Sequence, residues 1–507
     1  MSVDLERENF HVNVVRVRDL EDFLSAQTYR PEITTAYQVV LNKSHKLLDD
    51  LCSEKISQGS TPIYAENGPL CLKSKDVDEL LTGSNINTYV DINWALSNSK
   101  NKISFETLLL TRQGVGTIGR CAIYFGDSAY TNDSIFKIVV TKADSAYVAT
   151  FLNTDIGKRL IEKGVYGSTG QLNLSVSHVK KLPIFLPNSV VQKYIGDKVR
   201  QAELLREWAK NIQNRATNIL PVFKNRIADY KENYFKSNEI FSERLDSQFY
   251  HPNNIALEHE LKLNNCVKLS HFAKLIKQNW DKDKAQEFLY FEIGGLDIST
   301  GLIQPELINV NDAPSRAKTK VRYADVLVST IRPNRKNVGF IAIDDSTLEM
   351  VATSGFSVLR FEKAEIAAFY HFWLKSDDAT SQLMRWNSGS AYPAIDDDVP
   401  LNILVPKFEQ HLIDEWGTKL LFAQLSYIYA QKLVGYAKFI VEALIEDVIT
   451  EEELIQAQNG LEQGDKSLDR AILSQMTEDG YAVASSKPLF ADLDEFYDLL
   501  EQAKALE

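Results

Sequence analysis

Leu24-Ser25-Ala26-Gln27-Thr28-Tyr29-Arg30-Pro31 returns 221 residues later as Leu245-Asp246-Ser247-Gln248-Phe249-Tyr250-His251-Pro252, and the segments after the two copies keep one order. Leu48 and Leu51 answer to Leu269 and Phe272, Leu109-Leu110-Thr111 to Leu327-Val328-Ser329, Tyr130-Thr131 to Ala352-Thr353, and Gly167-Ser168 to Gly389-Ser390. Each copy closes on a strand-like stretch ending in proline, Pro187 or Pro406, that feeds a long helical pattern. A period this long is a duplicated globular module, since solenoid repeats run 20–50 residues. The chain therefore does one thing at two places.

A length of 507 residues suits roughly two to four domains. Its 44% hydrophobic content is enough for real cores. No run of eighteen apolar residues is present, and the charged start Met1-Ser2-Val3-Asp4-Leu5-Glu6-Arg7-Glu8 does not read as a signal peptide. Cys52, Cys71, Cys121 and Cys266 are scattered without metal-ligand spacing, as expected of reduced core thiols in a cytoplasmic protein. The net charge of −13 is unevenly placed: from Glu446 to Glu507, sixteen acidic residues against four basic ones supply −12, leaving −1 for residues 1–445. The acidity belongs to a C-terminal extension, and a nearly neutral body remains free to carry local basic faces.

After each module the apolar positions follow helical spacing. Ile413, Trp416, Leu420, Ala423, Tyr427, Ala430, Val434, Ala437, Val441, Leu444 and Val448 step alternately by three and four, the signature of a heptad seam. The first copy has a looser stripe through Ile195, Val199, Ala202, Leu205, Ala209, Ile212, Ala216, Ile219, Phe223 and Ile227, with Pro221 predicting a break near its end. Two such helices are expected to pair with each other as a rod of roughly 60 Å. Between them each module reads as strand-rich: Phe105–Arg112 and Cys121–Phe125 flank a glycine loop, Asp325–Thr330 and Val338–Ile343 are their counterparts, and helices are expected over Asp144–Lys163 and Lys363–Ser381. The fold class is α+β, with modules carried on helical arms.

Gly167-Ser168-Thr169-Gly170-Gln171-Leu172-Asn173-Leu174-Ser175 and the following Val179–Pro187 stretch resemble the end of a target recognition domain in the specificity subunits of type I restriction–modification systems. Leu109–Arg120 and Leu327–Asn334 are similar to the same family, and the resemblance covers about residues 20–450 in the order domain, helix, domain, helix. The second copy departs from it by placing Gly389-Ser390-Ala391-Tyr392-Pro393 where the first has Gly-Ser-Thr-Gly-Gln, and the acidic tail has no counterpart. The resemblance implies an N-terminal segment 1–22, recognition domains over 23–187 and 239–406, helices over 188–238 and 407–455 that pair as an antiparallel coiled coil, and an extension over 456–507. It further implies a non-catalytic subunit that binds double-stranded DNA, one domain to each half of a split target, for phage defence. Such a chain holds no cofactor. S-adenosylmethionine sits in partner methyltransferase subunits that methylate adenine, and a motor-nuclease restriction subunit is an optional third component.

The sequence carries no catalytic signature, as expected of a chain without chemistry of its own. Gly114-Val115-Gly116-Thr117-Ile118-Gly119 spells a dinucleotide-loop pattern, but the β-prone Arg120–Phe125 stretch follows where a phosphate-binding helix must open. No adenine-methylase motif occurs, and Asp396-Asp397-Asp398 reads as a solvated turn, since adjacent carboxylates converge poorly on one ion. DNA contact is expected from loops: Lys73, Arg112, Thr117, Arg120, Ser168, Thr169, Gln171 and Asn173 in the first module, and Arg332, Asn334, Arg335, Lys336, Asn337, Ser390 and Tyr392 in the second. Arginine suits phosphate or guanine N7 and O6, and asparagine suits adenine N6 and N7. Plain solvated turns would use the same residues, and Trp208 and Trp416 lie on the helical stripes, where packing outweighs base stacking. A different class of function stays open, a non-catalytic protein-binding scaffold of a defence complex. Salt dependence of duplex binding separates the two.

Overall fold

A computed structural model describes residues 17, 26–83, 85–167, 172–221, 223, 244–282, 286–345, 347–389, 392–484 and 486–505. The chain divides into two compact units, Met1–Leu205 with Tyr429–Glu507, and Arg206–Ile428. Each unit holds one sheet-bearing module and a stretch of both long helices, a different partition from the sequential one expected. Expectations for residues 1–16, 18–22 and 224–238 lie outside the described residues.

In the first unit, a five-stranded sheet runs in the order Ser57–Gln58, Ile135–Ile138, Thr107–Thr111, Cys121–Tyr124, Leu80–Leu81. A four-stranded sheet runs Tyr89–Val90, Tyr64–Leu72, Ala129–Thr131, Lys102–Ile103, its central pair parallel. Thr107–Thr111 is buried at every residue, which explains its unalternating Leu108-Leu109-Leu110 run. The second unit has one sheet in the order Ala273–Ile276, Phe356–Phe361, Val326–Ser329, Val338–Phe340. Its other sheet runs Glu306–Asn309, Glu287–Phe291, Glu349–Thr353, Ala317–Lys320, again with a parallel central pair. Apart from Leu80–Leu81 the two sets of strands have the same order. Leu109–Thr111 and Leu327–Ser329, matched in sequence, occupy the same place in it.

The helix expected over Asp144–Lys163 is two helices, Ser145–Asn153 and Asp155–Glu162. Thr154 interrupts them because its hydroxyl accepts the Gly157 N–H at 3.0 Å, capping the second. Lys363–Ser381 likewise resolves into Ala364–Leu374 and Asp377–Arg385, with Ser376 accepting from the Ala379 N–H at 3.2 Å.

The long helices span Ser189–Ala216 and Gln410–Ile445. The first ends in a 3-10 turn, Thr217–Ile219, ahead of Pro221, where the missing N–H and the ring disfavour continuation. Of the expected seams, Ile195, Val199, Ala202, Ile212, Ile413, Leu420, Ala423 and Tyr427 are buried. Trp416 and Val434 are only half-buried, because the second helix packs over a broader face that includes Leu425, Leu433, Tyr436 and Ile440. Within the first unit the Tyr194 and Tyr436 hydroxyls lie 2.6 Å apart; within the second, the Tyr427 hydroxyl donates to Gln213 Oε1 at 3.3 Å.

The acidic extension is a folded part of the first unit. Its helices Glu451–Glu462 and Leu493–Lys504 carry acids in the first turn, where the macrodipole favours them, and are capped by Thr450 and Asp492. Between these helices lies Ser467–Gln475, from which Asp469 points inward. Asp469 meets Lys198 at 2.6 Å, accepts from Tyr194 at 2.7 Å and from Tyr497, and both charged side chains are 1% exposed. Burial alone would raise the Asp469 carboxyl, but Lys198 and the tyrosine hydroxyls hold it below the usual aspartate value. Phe490 and Phe496 pack on Tyr429 of the second long helix, at ring-centroid distances of 6.4 and 5.5 Å.

Candidate nucleic-acid interface

In the first unit the loop between Thr107–Thr111 and Cys121–Tyr124 is a compact turn. Gly114, Gly116 and Gly119 adopt φ of +133°, +75° and +80°, and a strand follows where a dinucleotide loop would open a helix. Val115 at its tip is 91% exposed. Thr117 is tied into the turn: its carbonyl accepts from the Thr111 hydroxyl, while its own buried Oγ1 has no hydrogen-bond partner among the described residues. It shapes the loop and does not present its hydroxyl to solvent. Arg112 is drawn inward, donating to the Asp133 carbonyl at 3.2 Å and to Asn173 Oδ1 at 3.3 Å. Arg120 is exposed, 3.7 Å from Asp78. Lys73 stands over the Tyr64 ring at 4.1 Å, and the neighbouring Ser74 hydroxyl donates to the Gln113 carbonyl at 3.4 Å. Lys73, Arg112 and Asn173 are thus brought to one edge of the module, joined by Tyr64, Gln113 and Ser134, which are not among the residues expected from sequence. Gln113 and Ser134 hydrogen-bond at 3.1 Å. Their signal in the sequence is modest: Gln113 directly follows Arg112, and Asn132-Asp133-Ser134 is a polar run between strands. Ser168, Thr169 and Gln171 lie outside the described residues.

In the second unit the corresponding loop turns sharply. Arg332 and Lys336 have φ of +52° and +56°, left-handed values uncommon for side-chain-bearing residues, on either side of the 3-10 turn Pro333–Arg335. The Arg332 N–H donates to the Pro393 carbonyl at 2.7 Å, and its guanidinium stands 4.8 Å from the centre of the Tyr392 ring, which is 68% exposed. Asn334 and Arg335 are exposed at the tip. Lys336 pairs with Asp377 at 2.8 Å. Asn337 is a correction to the expected contact set: it is 8% exposed, and its carbonyl accepts from Ser329 where the strand resumes. Beneath it, the buried His371 imidazole lies 3.2 Å from the Val338 carbonyl. Ser390 lies outside the described residues.

Among the described residues no three His, Cys, Asp or Glu side chains are grouped to hold a metal ion, and no helix is long and apolar enough to cross a membrane.

No family model and no curated protein matches the chain. Solved structures similar to it include three from work on type I restriction–modification systems. One is a type I restriction–modification S subunit from M. genitalium, at 12% identity and TM-score 0.39, covering 80% of this chain and 96% of that one. Another is an HsdS subunit from Thermoanaerobacter tengcongensis, at 11% identity and TM-score 0.24, covering 82% and 96%. The third concerns complex assembly and conformational transition of the type I R-M system, at 12% identity and TM-score 0.26, covering 82% and 97%.

Proposed function

We propose that this chain is the non-catalytic specificity subunit of a type I restriction–modification complex. Each sheet-bearing module reads one half of a split duplex target, and the two long helices, paired antiparallel, set the unread gap. Partner methyltransferase subunits supply S-adenosylmethionine and methylate adenine, with a motor-nuclease subunit joining where cleavage is made. The observation that carries this reading is one strand order in two modules, with an arginine-bearing loop hung between the same two strands in each: Arg112–Arg120 and Arg332–Asn337. Rigid strands with short loops hold guanidinium groups in place for bidentate pairing to guanine or contact with phosphate. The helix pairing is supported by the Tyr194–Tyr436 and Gln213–Tyr427 contacts, one within each unit.

The test is to map methylated adenines in DNA exposed to the chain together with its methyltransferase. A single split motif is expected, along with binding to random duplex that weakens steeply with salt. A contiguous motif, or binding indifferent to salt, would overturn the reading and leave the protein-binding scaffold.

A further inference from the structure

The second unit carries a row of cations that the loop Arg332–Asn337 does not use. In Arg316-Ala317-Lys318-Thr319-Lys320-Val321-Arg322 the side chains alternate as a strand requires. Ala317, Thr319 and Val321 are buried, while Arg316, Lys318 and Arg322 are more exposed and Lys320 is half-buried. The strand Ala317–Lys320 is the last of its sheet, and exposed lysines commonly guard such edges against pairing with another chain. That need is already met here. Trp280 N–H donates to the Lys318 carbonyl at 2.7 Å, and Lys320 N–H to the Gln278 carbonyl at 2.9 Å, so Gln278–Trp280 occupies the edge. The covering segment adds Lys282, whereas its Lys277 stands opposite Val321, on the other face of the ribbon. Because the two segments run antiparallel about the Asn279–Thr319 bridge, Lys282 and Arg316 each stand two residues beyond the Trp280–Lys318 pair, at the same end of the ribbon.

The backbone beneath these charges is firmly held. The Trp280 ring packs on Phe288 at 4.2 Å, and its Nε1 donates to Glu349 at 2.6 Å. Glu349 also pairs with Lys320, and Arg322 lies near Asp325. Among the described residues Lys282, Arg316 and Lys318 make no ion pair. Outward side chains two residues apart on a strand are about 7 Å apart, a spacing at which unpaired like charges repel and a continuous polyanion relieves the repulsion.

We propose that this two-segment ribbon, through Lys282, Arg316 and Lys318, is a phosphate-binding surface that holds the backbone of duplex DNA without reading its sequence. The proposal deepens the DNA-reading function and rests on it: the loop Arg332–Asn337 supplies base contacts, and the ribbon supplies salt-dependent affinity.

The test uses the full chain and a random-sequence duplex, with affinity measured across a salt series. Each phosphate left without its cation lowers the slope of log affinity against log salt by about 0.9. The variant Lys282→Gln/Arg316→Gln/Lys318→Gln, altered only at surface positions, is expected to bind all sequences more weakly, with the slope reduced by about 2–3, while preference for the target sequence stays as in the parent. Lys282→Arg/Lys318→Arg should keep the parent slope. A parent that binds duplex steeply beside a triple variant of unchanged affinity and slope overturns the ribbon alone. A parent with no salt-dependent duplex binding overturns both proposals. Polyglutamate that displaces the duplex from the parent but not from the triple variant would overturn the nucleic-acid assignment and mark the ribbon as a seat for an acidic protein.

Discussion

Arg335, exposed at the tip of its loop, and His371, buried against the Val338 carbonyl, make opposite kinds of prediction. Arg335 is exposed at the tip, whereas Arg332 is tethered to Pro393 and Tyr392. Arg335→Ala is expected to cost about 1–3 kcal/mol in target binding and to relax discrimination at one base position. Unchanged affinity and base preference at several salt concentrations would remove Arg335 from the interface. His371 is predicted to matter for stability. Burial first, and then the Lys375 charge, push its imidazole down to about 3 from the ordinary 6.5, against the pull of the Val338 carbonyl. As pH falls through 6.5 the unfolded chain gains a proton here and the folded unit does not. Stability is therefore full above that value and declines toward pH 3, by about 1.4 kcal/mol per pH unit. Unfolding free energies from urea titrations at pH 5 and pH 8 should differ by about 2 kcal/mol from this residue. In His371→Gln most of that difference should vanish, whatever the variant's absolute stability; an undiminished difference would assign the acid sensitivity to other groups.

At the scale of elements, two glycines of the second long helix look alike in sequence and differ in surroundings. A Cβ on Gly417 would meet the Glu365 carbonyl at 2.5 Å, where the helix crosses the start of Ala364–Leu374, whereas a Cβ on Gly435 would meet nothing within 4 Å. Gly417→Ala is therefore expected to destabilise by about 1–3 kcal/mol. Gly435→Ala should stabilise by about 0.5–1 kcal/mol, since glycine in a helix interior carries extra backbone entropy into the unfolded state. Thermal midpoints moving the same way in both variants would contradict this packing. Such contacts mark the limit of what a sequence discloses. Periodicity reveals the long helices, and the recurrence of Leu109-Leu110-Thr111 as Leu327-Val328-Ser329 locates equivalent strands, because burial on both faces imposes an apolar run. The Thr154 and Ser376 caps escape detection although each is followed by Asp, since the helical pattern continues across them. Asn337 looks like a surface residue because its polarity says nothing of which way a tight turn points it. The cations of Arg316–Arg322 are equally hard to see, because alternation along one strand makes a basic face only when folded.

Across the whole chain, the acidic extension has a structural duty that its charge conceals. Asp469→Asn leaves Lys198 charged in a buried site, and breaking a pair of this kind costs about 3–5 kcal/mol. Removing residues 451–507 also uncovers Tyr429 and Tyr436, so truncation is expected to destabilise the first unit. A truncated chain with an unaltered unfolding midpoint would show the extension to be dispensable. Because the Asp469 carboxyl is held below its ordinary value of 3.8, the stability it contributes is present above that pH and is lost in stronger acid. The ruler proposed for the long helices needs a test that spares the anchors at their ends. Gln424 donates to the Thr300 carbonyl at 3.1 Å and Tyr436 meets Tyr194, so deleting the heptad Leu420–Ser426 would break an anchor as well as shorten the rod. Inserting one heptad in each helix, between Gln201 and Trp208 and between Ser426 and Leu433, keeps both anchors and preserves the seam. Each helix lengthens by roughly 10 Å, about three base pairs of rise. Methylation mapping of the double insertion should return the same two half-sites with a gap wider by about three base pairs. If a folded double insertion methylated at the original gap, or chose new bases within either half-site, the helices would not set the spacing.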